Sequence, residues 1–329
     1  MKDMNRLFKV FAAAAVIVMG AACQQESIPD GTNGDVAVNL SVSVPDVVTK
    51  AIADGTNVDI LYYEVYNADM SKRLVKGSTP RTSEKNFELN LTLVQDQTYN
   101  FLFWAQVNTA AYYNIENLRA VTVKYPQKNT EGMTVAVGND EDRAAFFAAE
   151  KFAVGKNTLT ETIYLKRPFA QLNFGTKTFE SSMDEDVTVD GSVITVTNVS
   201  TKFDVFAKVG SSAAADLAKV TFKATGCPAD PAKLTLDDKS SFEYLSMNYF
   251  FVGGEEATVI VDAVFNTSVG DVAHSIPSVP VAENYRTNIV GDLLFSKADF
   301  KIIVDERFAG DFNGGVSGGF TEVPNPDYN

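Results

Sequence analysis

The chain has 329 residues, 42 of them acidic against 28 basic, and a net charge of −14. An acidic surface of that size is repelled by nucleic acid and by anionic headgroups, which excludes both as electrostatic partners. A single histidine excludes multi-histidine metal centres.

The first element is an export signal. Lys2, Arg6 and Lys9 precede an apolar run, Val10 to Met19, followed by Gly20-Ala21-Ala22-Cys23, the layout of a signal peptide over residues 1–22. The run is shorter than the ~20 residues a spanning helix needs, and no later stretch replaces it. Small residues directly before a cysteine are what the lipoprotein signal peptidase requires, although Gly20 stands where Leu is usual. Cys23 is therefore predicted to become a lipid-modified N-terminus, with the acyl chains forming the membrane link. Gln24 is no inner-membrane retention signal, so the expected destination is the outer membrane and cell surface.

Without its signal the chain carries −16, because Lys2, Arg6 and Lys9 outweigh Asp3 by two. About 300 residues remain, which suits two domains. Acylation of Cys23 leaves Cys227 without a partner, so stability must come from packing. Residues 23–34 are polar with Pro and Gly and read as a tether. Domains are expected at 35–166 and 167–329, with the chain passing from Leu165-Lys166 to Pro168-Phe169 almost without a linker.

From Asp35 to Val44 the chain alternates strictly, with Val36, Val38, Leu40, Val42 and Val44 on one face, as in a half-buried strand. The same period recurs in Phe87, Leu89, Leu91 and Leu93, and around Ile163 and Leu165. Further strands are predicted at 60–66, 98–107, 169–174, 187–199 (with a break at Gly191), 257–265, 285–295 and 300–304, separated by turn residues. Helix is expected at Asp140 to Phe152, which opens with acids, and more weakly at Ala213 to Lys219. Many short strands without βαβ alternation indicate a mainly β chain of two tandem antiparallel β-sandwiches with one or two short helices.

Reactive groups are sparse. His274 lies in Ala273-His274-Ser275, without a supporting motif, and reads as a surface or turn residue. Cys227 sits in the turn Gly226-Cys227-Pro228. Gly314-Gly315-Val316-Ser317-Gly318-Gly319 has no following helix and so is no phosphate cradle. Asp184-Glu185-Asp186 and Glu255-Glu256 flank strands as solvated loops, without calcium-loop spacing. Trp104, inside an apolar strand, is predicted core. No catalytic residue, metal ligand or cofactor is expected.

Five segments carry a resemblance: Thr49 to Thr56 ahead of Ile60 to Tyr66; Phe146 to Val154; Leu165 to Leu172; Asn284 to Gly291; and Ala298 to Asp311. Together they resemble the fimbrillin-like lipoproteins of Bacteroidota, subunits of type V pili with two transthyretin-like domains. The resemblance implies a non-enzymatic surface subunit active in adhesion. It also implies cleavage after a basic residue beyond the first strand, and polymerisation by donor-strand exchange with other pilus subunits. Lys50, followed by Ala51, is the sole basic residue between Lys9 and Lys72, although the family commonly carries arginine there. Such a cut would release Val36, Val38, Leu40, Val42 and Val44 and leave a groove for a neighbour's strand. The Gly-rich tail 313–329, with Pro324 and Pro326, lacks the alternation of a donor. Either the strand 300–304 doubles as donor, or the chain is a tip, anchor or accessory subunit, or it is a non-polymerising surface lipoprotein that binds glycans or host ligands.

Overall fold

The computed structural model describes residues 24–25, 34–45, 55, 57–83, 86–110, 112–124, 127–128, 134–177, 188–229, 232–236, 238–295, 299–305 and 321–323. The predicted alternation organises its first half. Strand β2 (Asp35–Ser43) buries every second residue and lies in the middle of a three-stranded sheet, antiparallel to β5 (Asn86–Val94) and parallel to β12 (Leu159–Tyr164). A five-stranded sheet runs β1 (Gln24–Gln25), β4 (Arg73–Pro80), β3 (Ile60–Asn67), β6 (Gln97–Gln106), β11 (Ala145–Val154). Both sheets feed one core, in which Val38, Leu40, Val42 and Phe87 join Leu61, Phe101, Phe103 and Phe146.

In the second half, β13 (Ala170–Thr176) is buried along its whole length. It runs antiparallel to β19 (Ser241–Phe250) and parallel to β22 (Arg286–Gly291). Their six-stranded sheet continues outward to β18 (Lys233–Thr235) on one side and to β23 (Phe300–Asp305) and β24 (Thr321–Val323) on the other. A second six-stranded sheet runs β21 (Gly270–Ala282), β20 (Glu256–Thr267), β14 (Val189–Ser200), β17 (Leu217–Thr225), β10 (Thr134–Val137), β9 (Gln127–Lys128). Leu172, Phe174, Ile194, Phe222, Val261, Phe265 and Ile289 fill the core they share. The opposite face of β13 is polar and hydrogen-bonded across the sheet: Tyr244 Oη donates to Asn173 Oδ1 (2.7 Å), and Asn173 Nδ2 donates to Asn288 Oδ1 (2.7 Å).

The halves are laced together. β10 pairs in parallel with β17. A small four-stranded sheet orders β16 (Val209–Gly210), β15 (Lys202–Asp204), β8 (Val121–Val123) and β7 (Tyr113–Asn114). Trp104, fully buried as predicted, packs its ring 5.2 Å from Tyr113 and 6.3 Å from both Phe203 and Phe251. Its indole N–H donates to Gln106 Oε1 at 2.9 Å, the partner that a buried tryptophan needs.

The mainly β, sandwich-like architecture is as the sequence predicts, and both helices are corrected. The acids at 140–142 open a single 3-10 turn, Glu141–Arg143, capped by Asp140. The Ala- and Phe-rich continuation is then a full strand, registered on β6 from Ala145↔Gln106 to Val154↔Gln97. Burying Phe146 and Phe147 between sheets outweighs the helix propensity of the alanines. Ala214–Asp216 is likewise one 3-10 turn before the strand Leu217–Thr225. The expected strand 285–295 ends at Gly291, and the predicted break at Gly191 is a register shift against β20.

Candidate functional site: the first strand and its seat

Both backbone edges of β2 are occupied. Val36, Val38, Leu40 and Val42 stand opposite Leu93, Leu91, Leu89 and Phe87 of β5, while Val38 to Ser43 pair with Leu159 to Tyr164 of β12. Val36, Val38, Leu40, Val42 and, just beyond the strand, Val44 are all buried. The other face is polar, with Ser41 Oγ donating to Glu88 Oε1 at 2.9 Å. At ~1.5–3 kcal/mol for each buried apolar side chain, the five stabilise by about 10 kcal/mol in all.

Beyond the first strand, Gly55 is anchored. Its φ of +73° is left-handed, and a Cβ there would meet Phe146 at 2.7 Å and Val44 at 2.9 Å, so glycine is required. Arg81 Nη1 donates to Gly55 O (3.1 Å) and to Val58 O (2.8 Å), and Val58 is fully buried. A connection is thus pinned at Val44 before it and at Gly55 to Val58 after it. Lys50 and Ala51 fall inside that connection and, with Cys23, lie outside the described residues. Of the predicted tether, Gln24 and Gln25 pair with Lys76 and Val75 at the edge of β4.

Three of the sequence segments that carried the resemblance meet at one junction. Phe147 and Lys166 exchange backbone hydrogen bonds of 2.8 and 3.0 Å. The Arg167 guanidinium stacks 4.8 Å from the Phe146 ring, and Arg167 N donates to Asn284 Oδ1 at 3.1 Å. Lys166 Nζ pairs with Glu283 Oε1 at 2.8 Å. Burial pushes the Glu283 carboxyl up from 4.5, with the neighbouring Glu255 adding to the rise and Lys166 opposing it. A group raised on folding contributes stability that is fully present below its unfolded value and is lost as pH rises through the folded one. The native chain is therefore expected to lose melting temperature as pH rises above 4.5, and Glu283→Gln to remove that step of the decline. Parallel melts across pH 4 to 8 with identical slopes for both proteins would refute this.

The residues screened for chemistry are dispersed. His274 is on strand β21 rather than in a turn, half-buried, with Nε2 2.7 Å from Leu293 O and its ring between Phe265 and Phe300. Cys227 packs against the second core, and burial raises its thiol to about 11, so it stays protonated and unreactive. Among the described residues no three His, Cys, Asp or Glu converge as metal ligands, and no helix is long and apolar enough to cross a membrane. The sequence missed Arg81, Gly55 and Asn284, whose roles depend on partners remote in the chain.

At the C-terminus, β24 pairs with β23 through Val304↔Thr321, Ile303↔Glu322 and Ile302↔Val323. The candidate donor 300–304 is thereby flanked on both sides, by β22 and by β24. The long edge strand β21 carries Pro277 and Pro280, which lack the N–H needed to pair with another strand.

No curated protein matches the sequence. Among solved structures, a DUF1812 protein of Bacteroides thetaiotaomicron, described as a candidate for polysaccharide binding, superposes with a TM-score of 0.51 at 12% identity. It covers 82% of this chain and 96% of its own. Also similar are the tip fimbrial protein Mfa3 of Porphyromonas gingivalis (TM-score 0.48, 12% identity, 83% and 99% coverage) and a Bacteroides ovatus protein described as a candidate for cell adhesion (0.47, 10%, 84% and 100%). The first likeness establishes a shared fold, in line with the resemblance read from the sequence. The model of a family of unknown function, DUF6562, matches residues 30–323, and the chain belongs to that family.

Proposed function

We propose that this is a non-enzymatic, cell-surface lipoprotein of the fimbrial and adhesive type. Residues 1–22 direct export, acylated Cys23 anchors the chain in the outer membrane, residues 23–34 lead into it, and domains 35–166 and 167–329 form the exposed body. Maturation cuts between Lys50 and Ala51, and the first strand then leaves its seat so that a strand from another subunit can take its place.

The observation that supports this reading is the seat of β2. It is a central strand held mainly by five buried side chains and two ladders, so its loss exposes a groove with two unsatisfied backbone edges, which an incoming strand would cover. The anchors at Gly55 and Val58 would keep the new N-terminal segment attached to the body. N-terminal sequencing of protein shed from cells tests the proposal: Ala51 is the expected first residue, and Lys50→Ala should leave the chain uncut with its acyl group retained. Recovery of intact acylated monomers alone, from the native sequence, would remove the maturation step.

A further inference from the structure

A cleft of about 590 Å³ opens over β6 and β11, between the β3–β4 turn and the β15–β16 hairpin, within the range that small-ligand sites occupy. We infer that it binds an acidic saccharide, a sugar bearing a carboxylate. The floor is Leu102, Ala149 and Asn100, all buried. Asn100 braces one wall by donating to Asn67 O (2.8 Å) and Ala68 O (3.2 Å).

The opposite wall presents Phe206, 41% exposed, at a hairpin tip fixed by Asp204 Oδ1, which accepts from Phe206 N (2.8 Å) and Ala207 N (3.1 Å). An aromatic ring held out into solvent by a rigid turn is a surface on which the C–H face of a sugar can stack. Arg119 lies 5.9 Å over that ring and donates to Met70 O at 3.3 Å.

The charge balance selects an anion. Arg119, Lys151 and Lys208 line the cleft against Asp69 and Glu150, reversing the sign of a chain whose net charge is −14. Asp69 Oδ1 is already used by Ser71 N (3.1 Å) and Ser71 Oγ (2.7 Å), and Glu150 lies 4.0 Å from Lys208. Among the described residues Arg119 and Lys151 have no carboxylate partner. A guanidinium fork beside a stacking ring suits a planar carboxylate on a sugar ring. No cleft residue belongs to β2, so this inference stands apart from strand displacement.

Titration calorimetry of the full chain with tetragalacturonate, maltotetraose, dextran sulfate and tetraglutamate tests it. Tetragalacturonate is expected to bind, and more weakly as salt rises. Phe206→Ala and Lys151→Ala should each weaken binding about tenfold or more at unchanged melting temperature, while Lys156→Ala, in the β11–β12 turn, should not. If Phe206→Ala also lowers the melting temperature, the exposed Lys151→Ala carries the test. Absent binding, insensitivity to Lys151→Ala, or equal or tighter binding of maltotetraose, dextran sulfate or tetraglutamate would overturn the inference.

Discussion

Deleting residues 35–44 is expected to leave the first core open, and a synthetic peptide of residues 34–45 added in trans to close it again. The five side chains stabilise by about 10 kcal/mol, a figure comparable with the whole stability of a typical domain. The deleted chain should lose near-ultraviolet circular dichroism around Trp104 and Phe87, and should expose the backbone edges of β5 and β12. A peptide with the native alternation restores both ladders. The same peptide carrying Leu40→Asp should not, because the residue sits at 1% exposure and an isolated buried charge is too costly to accommodate. A deleted chain that melts like the native one would show that β2 is dispensable, and the displacement proposal would fall with it.

That experiment rests on a feature written in the sequence itself. Period two over ten residues identifies β2 and its inward face without any partner, because a strand with one buried face must alternate. What the alternation cannot give is the neighbour. β2 lies parallel to β12 across more than a hundred residues, and neither strand carries a mark of the other. The helix expected at 140–152 fails for a related reason: Ala148 and Ala149 suit a helix locally, and only the ten-residue register on β6 decides otherwise. Gly191 was legible as an interruption because glycine weakens a strand wherever it falls. Gly55 was not, since its necessity comes from Phe146 and Val44 closing around it. The cleft is less legible still. Its aromatic and its cations come from separate stretches of chain, and only the junction of β15 with β8 brings Phe206 near Arg119.

Arg119 in turn depends on an ion pair whose carboxylate is buried, and breaking that pair should have the second large effect. Glu64, 1% exposed, accepts from Arg73 Nη1 at 2.6 Å, from Tyr66 Oη at 2.9 Å and from Leu118 N at 3.2 Å. The last of these ties the 3-10 turn Leu118–Ala120, and Arg119 with it, to the sheet. Burial and the adjacent Glu64 raise the Tyr66 hydroxyl to about 12, so it remains a donor at any ordinary pH. Arg73→Ala leaves the carboxylate without its cation. A fully buried pair broken in this way costs about 3–5 kcal/mol, and because Arg73 is 39% exposed the expected loss is nearer about 2 kcal/mol, several degrees of melting temperature. The double variant Glu64→Gln with Arg73→Met should recover part of that loss, since a neutral amide still accepts from Leu118 N and Tyr66 Oη while carrying no charge to compensate. Tetragalacturonate binding should weaken in Arg73→Ala, because a loosened Leu118–Ala120 turn no longer holds Arg119 over Phe206. Chemical denaturation and calorimetry on the three proteins separate the two effects. A melting temperature unchanged by Arg73→Ala would mean that Glu64 is held by its hydrogen bonds alone and that the cation contributes no stability.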